Sequence, residues 1–367
     1  MKKIVLLVDT LSFGGSERTV QILANNQDYS ENKFIIVSLA DVLKYKLNDN
    51  VIRKTVYSKN FHALIKAFLL PITFIRIVFV LKNCKADAVI SFHQQSHVLN
   101  VLASKILKYK SVVSERAYIE SYYGRKNTVL KPVINFIYNK ADMIIVNDIE
   151  IKESLIRYYK VKATIRVINN LLDTLNFEKK FIKAKQKSNS IKFITIGRLS
   201  KEKNTKDIIY AFQKANIENS TLQIIGNGPL LESLMALCKK LSIEDKVIFH
   251  GHQKEVGKFL NGADIFVFSS LNEGFPNVVL EAMYFELPII SYKFKAGITT
   301  ILNDGIFGVL VPLRSVDKLA YEMKRMSLDA KRRSEFEKLS LKRVKYFTDK
   351  EKYIKQYNNV FKDVINE

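Results

Sequence analysis

The chain has 367 residues, enough for two domains of ordinary size, and its 47% hydrophobic content with a mean hydropathy of −0.03 excludes a low-complexity or disordered chain. Lys and Arg number 59 against 36 Asp and Glu, and the formal net charge of +23 calls for an anionic partner: nucleic acid, a phosphorylated substrate or an anionic membrane face. The two cysteines, Cys84 and Cys238, are too far apart to give a disulfide framework or metal-ligand spacing, so a reducing compartment is expected.

The apolar run Ile4 to Val8 is too short for a signal peptide and leads straight into a glycine turn, so it reads as a buried parallel strand. The turn holds Gly14, Gly15 and Ser16. The glycines would let a ligand approach the backbone, and Ser16 would cap a helix from about Glu17 to Gln27. An ordinary strand-to-helix turn is the competing reading. Phe34 to Leu39 is the next strand. Residues 63–81 are apolar apart from Lys66, Pro71, Thr73 and Arg76, and three readings stay open: a buried helix, a helix in the membrane interface with Lys59, Lys66 and Arg76 reaching phosphates, or a transmembrane span.

Ala88 to Phe92 is another strand, ending in His93-Gln94-Gln95. The C-terminal end of a parallel strand is where open α/β sheets place ligands, so His93 is either a ligand-facing or a structural histidine. Ser111 to Ser114 leads in the same way to Glu115 and Arg116. Tyr118, Tyr122, Tyr123 and Arg125 then suit sugar stacking or phosphate contact. Strands at 143–146 and 166–168 flank a helix at about 149–159. Asn169 to Asp173 closes the half, and the Lys-, Ser- and Gln-rich residues 178–190 read as a linker.

The second half restarts the alternation. Strands at 192–196, 222–225, 247–249 and 265–268 run respectively into Gly197-Arg198 through Lys203-Asn204, into Gly226-Asn227-Gly228, into His250-Gly251-His252, and into Ser269-Ser270. Arg198 and Lys203 are either ordinary surface cations or a pair that neutralises a diphosphate. After Ser270 come Glu273 and Glu281, eight positions apart, with Gly274-Phe275-Pro276-Asn277-Val278 between. Pro276 suits an extended or first-turn position and Asn277 a cap, which starts a helix there. The carboxylates would then sit roughly 10–12 Å apart, about the span of a nucleotide sugar, unless they simply mark a solvated helix face. A further strand at 288–290, a turn at 295–297 and charged helices after about Val316 complete the chain. Convergent strand ends of this kind describe a nucleotide site on a doubly wound α/β sheet.

The Glu273–Glu281 spacing with its Gly-Phe-Pro, the Gly-Gly-Ser-Glu-Arg run, the Gly-Arg-Leu…Lys-Asn stretch and the Asn169-to-Asp173 turn resemble, in their order along the chain, the motifs of retaining glycosyltransferases of the GT-B fold, family four. The resemblance implies two doubly wound, Rossmann-like domains facing a central cleft: residues 1–175 on the acceptor side, with a helix at 350–367 packing back onto them, and residues 190–345 binding the nucleotide sugar. It implies that Glu273 touches the hydroxyls of the transferred sugar and Glu281 the ribose, and that Arg198, Lys203 and the helix start stabilise the departing phosphate. Glu273, Arg198 and Lys203 are the expected catalytic groups. Gly15, Gly226, Gly228, Gly274, Phe275, Pro276, Asn277, Val278 and Glu281 join them around the donor. Gly14, Gly15, Ser16, His93 and Arg116 are expected on the acceptor side. Arg116 stands where many members carry His, which leaves open the side chain that handles the acceptor proton.

No Asp-any-Asp motif ends a suitable strand, so neither metal nor cofactor is expected. The implied activity is metal-independent transfer of a hexose or N-acetylhexosamine from a nucleotide-diphosphate sugar, UDP-linked, to a glycan or polyprenyl-diphosphate-linked acceptor in bacterial capsule or lipopolysaccharide synthesis. Residues 101–192 hold 19 Lys and Arg against 8 Asp and Glu, a net of +11, which favours a peripheral protein at the anionic inner face of the cell membrane. Two other classes remain: a nucleotide-sugar epimerase of the same fold, and a basic nucleic-acid-binding protein. The latter is disfavoured by the absence of a nucleic-acid motif and by the acidic Glu273–Glu281 pair.

Overall fold

The computed structural model describes residues 2–12, 14–26, 32–59, 68–119, 127–174, 177 and 190–366. The chain divides into two compact units, Met1–Leu171 with Lys350–Glu367, and Leu172–Asp349.

The first unit is built on seven parallel strands: β1 (Lys2–Val8), β2 (Asn32–Ala40), β3 (Ile52–Tyr57), β4 (Ala88–Ser91), β5 (Lys110–Glu115), β6 (Met143–Val146) and β7 (Ile165–Val167). Their order is β3-β2-β1-β4-β5-β6-β7, so the winding direction reverses between β1 and β4. Ile4 pairs with Phe34 on one side and Ala88 on the other. The central strands are buried on both faces, which is why they read as unbroken Val, Ile and Leu runs. Edge strand β3, Ile-Arg-Lys-Thr-Val-Tyr, has no such pattern and its residues are partly exposed.

Helices α1 (Gly15–Asn25), α2 (Leu70–Cys84), α3 (Gln94–Leu107), α4 (Asn127–Lys140) and α5 (Ile149–Tyr159) are the crossovers of this unit. Val20 and Leu23 of α1 share a core with Ile4, Leu6 and Phe34. The chain's last helix (Lys350–Asn366) adds Tyr353, Tyr357 and Phe361 to that same core, with Phe361 edge-on to Phe34 at 5.8 Å. The opposite face of the sheet is covered by Ile77 and Leu81 of α2 and Leu99 and Ala103 of α3.

Two helix starts differ from the sequence expectation. Ser16 lies inside the first turn of α1 and does not cap it. Gly14, with extended φ of −177°, is the N-cap, and the helix ends at Asn25, before residues 27–31, which lie outside the described set. In the 63–81 segment, residues 63–67 lie outside the described residues, and Pro71 sits in the first turn of α2 instead of interrupting a helix. Thr73, Ile77, Leu81 and Cys84 form its buried stripe. Among the described residues no helix is long and apolar enough to cross a membrane. The linker expected at 178–190 falls, up to residue 189, outside the described residues.

The second unit has six parallel strands, β8 (Ile191–Ile196), β9 (Ser220–Ile225), β10 (Val247–Gly251), β11 (Ile265–Phe268), β12 (Ile289–Lys293) and β13 (Val309–Pro312), in the order β10-β9-β8-β11-β12-β13. The reversal falls between β8 and β11, the position at which doubly wound sheets open a crevice beyond the strand ends. Helices α6 (Thr205–Ala215), α7 (Leu231–Lys240), α8 (Val256–Asn261), α9 (Asn277–Tyr284), α10 (Ile298–Leu302), α11 (Val316–Leu328) and α12 (Ala330–Val344) surround the sheet, and the helix from Lys350 is α13.

Candidate active site

Beyond the ends of β8, β9 and β11, three loops are knitted together mainly through backbone. Gly197 donates its N–H to Ile225 O (3.0 Å), Gly226 to Gly251 O (2.8 Å) and Leu199 to Asn227 O (3.0 Å). Gly226 has φ +140°, and a Cβ there would stand 1.9 Å from the Gly197 carbonyl oxygen. One on Gly228 would stand 2.4 Å from Leu199 O. Both positions therefore require glycine, because the loops approach closer than any side chain allows.

The loop after β11 clamps the loop after β8. Ser269 Oγ donates to the carbonyls of Lys203 (3.0 Å) and Asn204 (2.9 Å), and Leu271 N–H donates to Glu202 O (2.8 Å). Ser270 Oγ donates to Glu273 Oε1 at 2.9 Å. These bonds bring Lys203 and Glu273, seventy positions apart, into a direct ion pair through Nζ and Oε1. Both are partly shielded, with side chains 27% and 17% exposed, so the pair is not a solvated surface contact. Lys203 lies in a pocket formed with Thr195, Gly197, Thr205, Ile225 and Phe268, its ammonium 5.8 Å from the centre of the Phe268 ring. Asn204, at φ +52°, turns the chain into α6 and donates to Asp207 (2.7 Å).

Arg198 stands on the same loop with its side chain in solvent. Asn277 is the first residue of α9 and not its cap: Pro276 occupies the N-cap position, and no side chain caps this helix start. Phe275 is buried against Phe347, ring centres 5.8 Å apart, Val278 packs on the same core, and half-buried Glu281 follows on α9. Gly297, at φ +73°, reads in the sequence only as part of a turn. A Cβ on it would meet Pro276 Cδ at 2.7 Å and Gly274 O at 2.9 Å, so this turn braces the Gly-Phe-Pro loop from behind.

In the first unit, the ends of β1 and β4 bring a second polar group together. His93 is the N-cap of α3. Its Nδ1 accepts the Asp9 N–H (3.2 Å), which leaves the neutral ring's proton on Nε2, 3.7 Å from Glu17 Oε1. Ser96 Oγ donates to Asp9 Oδ1 (2.6 Å) and Ser12 Oγ to Glu17 Oε1 (3.3 Å). A Cβ on Gly14 would lie 2.3 Å from Glu17 Oε2, and Tyr45 OH bonds both the N–H and the carbonyl of Gly14. Gly15 is exposed and Ser16 half-buried beside it. Arg116 is not part of this group: its guanidinium is held by Asn170 and, at 3.3 Å, by Tyr357 OH of α13. Tyr118 is buried, and Tyr122, Tyr123 and Arg125 lie outside the described residues.

Behind this surface is a buried cluster with no local sequence signature. Glu115 accepts from Tyr138 OH, Gln94 Nε2 and the N–H groups of Arg116 (2.9 Å) and Ala117 (2.8 Å), and burial raises its carboxyl above the ordinary value. His97 Nε2 is 3.9 Å from Glu115 Oε2, and burial pushes the imidazole down to about 3. Among the described residues no group of three or more His, Cys, Asp or Glu could hold a metal ion.

Two family models match consecutive parts of the chain: Glycosyltransferase Family 4 over residues 13–175 and Glycosyl transferases group 1 over residues 176–343. The chain is similar to two proteins of Campylobacter jejuni subsp. jejuni. One is N-acetylgalactosamine-N,N'-diacetylbacillosaminyl-diphospho-undecaprenol 4-alpha-N-acetylgalactosaminyltransferase, 26% identical over 95% of this chain and 96% of the relative. The other is GalNAc-alpha-(1->4)-GalNAc-alpha-(1->3)-diNAcBac-PP-undecaprenol alpha-1,4-N-acetyl-D-galactosaminyltransferase, 28% identical over 95% of each. The crystal structure of Anabaena HepE in complex with UDP and glucose superposes with a TM-score of 0.82 at 17% identity, over 99% of this chain and 100% of that one, a likeness of fold. With two doubly wound parallel sheets and family models running from residue 13 to residue 343, the chain belongs to the family-four glycosyltransferases of the GT-B fold.

Proposed function

We propose that this glycosyltransferase moves a hexose or N-acetylhexosamine from a UDP-sugar, with retention at the anomeric carbon, to a glycan or polyprenyl-diphosphate-linked acceptor during synthesis of a bacterial surface polysaccharide such as a capsule or lipopolysaccharide. The observation that carries the reading is the Lys203–Glu273 ion pair among the converging loops of the second unit. A cation and a carboxylate held side by side match the two ends of the bond to be broken. The ammonium neutralises the leaving diphosphate, and the carboxylate accepts hydrogen bonds from hydroxyls of the departing sugar.

Arg198 supplies a second cation from the same loop, and the start of α9 at Asn277 offers backbone N–H groups to the phosphates. The close packing at Gly226 and Gly228 holds the loops after β8 and β9 together at the strand ends, where the nucleotide would lie. Glu281 takes the ribose hydroxyls. Charge on the leaving diphosphate is met by these groups with no metal ion. Gly14, Gly15, Ser16 and His93 serve the acceptor side. The names of the two Campylobacter relatives, both specifying an undecaprenol-linked diphosphate, support a lipid-linked acceptor. The UDP in the HepE structure supports the donor. The net charge of +23 supports a peripheral position on an anionic membrane, at its cytoplasmic face.

The test is release of UDP from a panel of UDP-sugars with and without undecaprenyl-diphosphate-linked oligosaccharide. Release that needs the acceptor supports the reading. Conversion of the UDP-sugar to another UDP-sugar without release would replace it with epimerisation.

A further inference from the structure

The helix face of the first unit formed by α2, α3 and α4 carries an unusual combination of residues. Ile72, Ile75 and Phe79 follow one another at helical spacing on the side of α2 opposite its buried stripe, Phe68 immediately precedes the helix's N-cap Leu69, and these residues are 49%, 69%, 66% and 84% exposed. The neighbouring helix α3, packed against α2, exposes Leu102 and Ile106. Helix α4, packed against α3, exposes Val133 and Phe136. A run of large exposed apolar side chains over three adjacent helices marks an interaction surface on a monomer.

None of the three helices contains an Asp or Glu. Their charged residues are Arg76, Lys82, Lys105, Lys131 and Lys140. Exposed Lys85 and Lys108 add two more cations at the ends of α2 and α3. A second copy of the chain is a poor occupant, because a two-fold pairing would set cations against cations with no carboxylate on either side. An acidic lipid surface satisfies both features: apolar side chains enter the headgroup boundary while Lys and Arg stems reach up to phosphates.

The geometry points to this face, with Phe68, Ile75 and Phe79 at its centre, as the surface by which the protein docks on an anionic bilayer. The inference rests on the membrane placement proposed above and adds the surface that makes contact; it does not depend on the donor chemistry.

The experiment is co-sedimentation of the full chain with vesicles of phosphatidylcholine alone or mixed with phosphatidylglycerol. Wild type should pellet with the mixed vesicles and stay largely soluble with phosphatidylcholine. A Phe68→Ser, Ile75→Ser, Phe79→Ser variant should partition roughly tenfold less or weaker still, with unchanged thermal unfolding and unchanged calorimetric UDP binding. Lys82→Glu with Lys105→Glu, which leaves the apolar stripe intact, should lose roughly fivefold per cation at low salt. Equal pelleting of wild type and both variants overturns the proposal, as does equal pelleting of wild type with both vesicle types. A wild-type dimer that the serine variant converts to monomer also overturns it, in favour of self-association. Because UDP binding is read separately, a wild type that binds UDP but fails to pellet with the mixed vesicles removes only this inference and leaves the donor site standing.

Discussion

Lys203 and Glu273 come from loops at the ends of two adjacent strands, β8 and β11, and are joined as an ion pair that Ser270 supports from the carboxylate side. In the proposed chemistry each partner has a separate ligand, the lysine a phosphate and the glutamate a sugar. Donor binding then exchanges one internal contact for two external ones.

Lys203→Ala and Arg198→Ala each lower turnover by about 10²–10³, the equivalent of roughly 2–4 kcal/mol of transition-state stabilisation, while circular dichroism and thermal unfolding stay near wild type. Both side chains keep some solvent exposure, so neither is needed to fill a core. Wild-type turnover in both variants would remove the diphosphate role.

The two glutamates separate in kind. Glu281→Ala weakens UDP binding by about tenfold, the loss of a hydrogen bond to a charged group. Glu273→Ala leaves UDP affinity close to wild type and lowers turnover, because its partner is the sugar and not the nucleotide. Calorimetric titration with UDP beside steady-state rates distinguishes the pair; the reverse order would exchange their roles.

Gly226→Ala is expected to damage the second unit itself. The new methyl group would fall 1.9 Å from the Gly197 carbonyl oxygen at a φ of +140°, which no L side chain adopts easily. A loss of about 2–4 kcal/mol is expected, read as a lower midpoint in urea unfolding together with weakened UDP binding. Unfolding that matches wild type would mean that the loops after β8 and β9 are further apart than described.

The buried His97 gives the first unit an acid limb. Its imidazole is held at about 3, against an ordinary value of 6.5. The unfolded chain therefore binds a proton that the folded chain refuses, and the stability contributed by the neutral ring is complete above 6.5 and lost as pH falls toward 3. Glu115, whose carboxyl is raised, acts in the opposite sense: its share is complete below its ordinary 4.5 and is lost as pH rises through its folded value. His97→Asn removes only the first effect. The stability of wild type relative to this variant should fall by roughly 2 kcal/mol between about pH 8 and about pH 5. A flat difference over that range would mean that the ring takes up a proton in the folded protein.

Much of the second unit's site was legible because its signals are local. The Gly197-to-Asn204 loop, the Gly226–Gly228 pair and the Glu273-to-Glu281 stretch each sit beside an apolar strand run whose direction and end can be read residue by residue. What escaped was non-local. Gly297 braces the Gly-Phe-Pro loop across an intervening helix and strand. The guanidinium of Arg116, a residue expected on the acceptor side, is engaged by Tyr357, 241 positions away, and Asn170. No short window carries such pairings. The helix starts differ for a subtler reason: Ser16 and Asn277 are good caps by type, but the N-cap position is taken by Gly14 in one case and Pro276 in the other. Edge strand β3 was invisible because half-exposed strands can carry Arg and Lys.

The most direct measurement is an experimental structure of the protein with UDP bound. The account predicts the diphosphate seated on the loop after β8 and at the start of α9, with Lys203 Nζ on a phosphate oxygen, the contact to Glu273 opened, and the ribose on Glu281. UDP bound elsewhere, with the Lys203–Glu273 pair still closed, would contradict it.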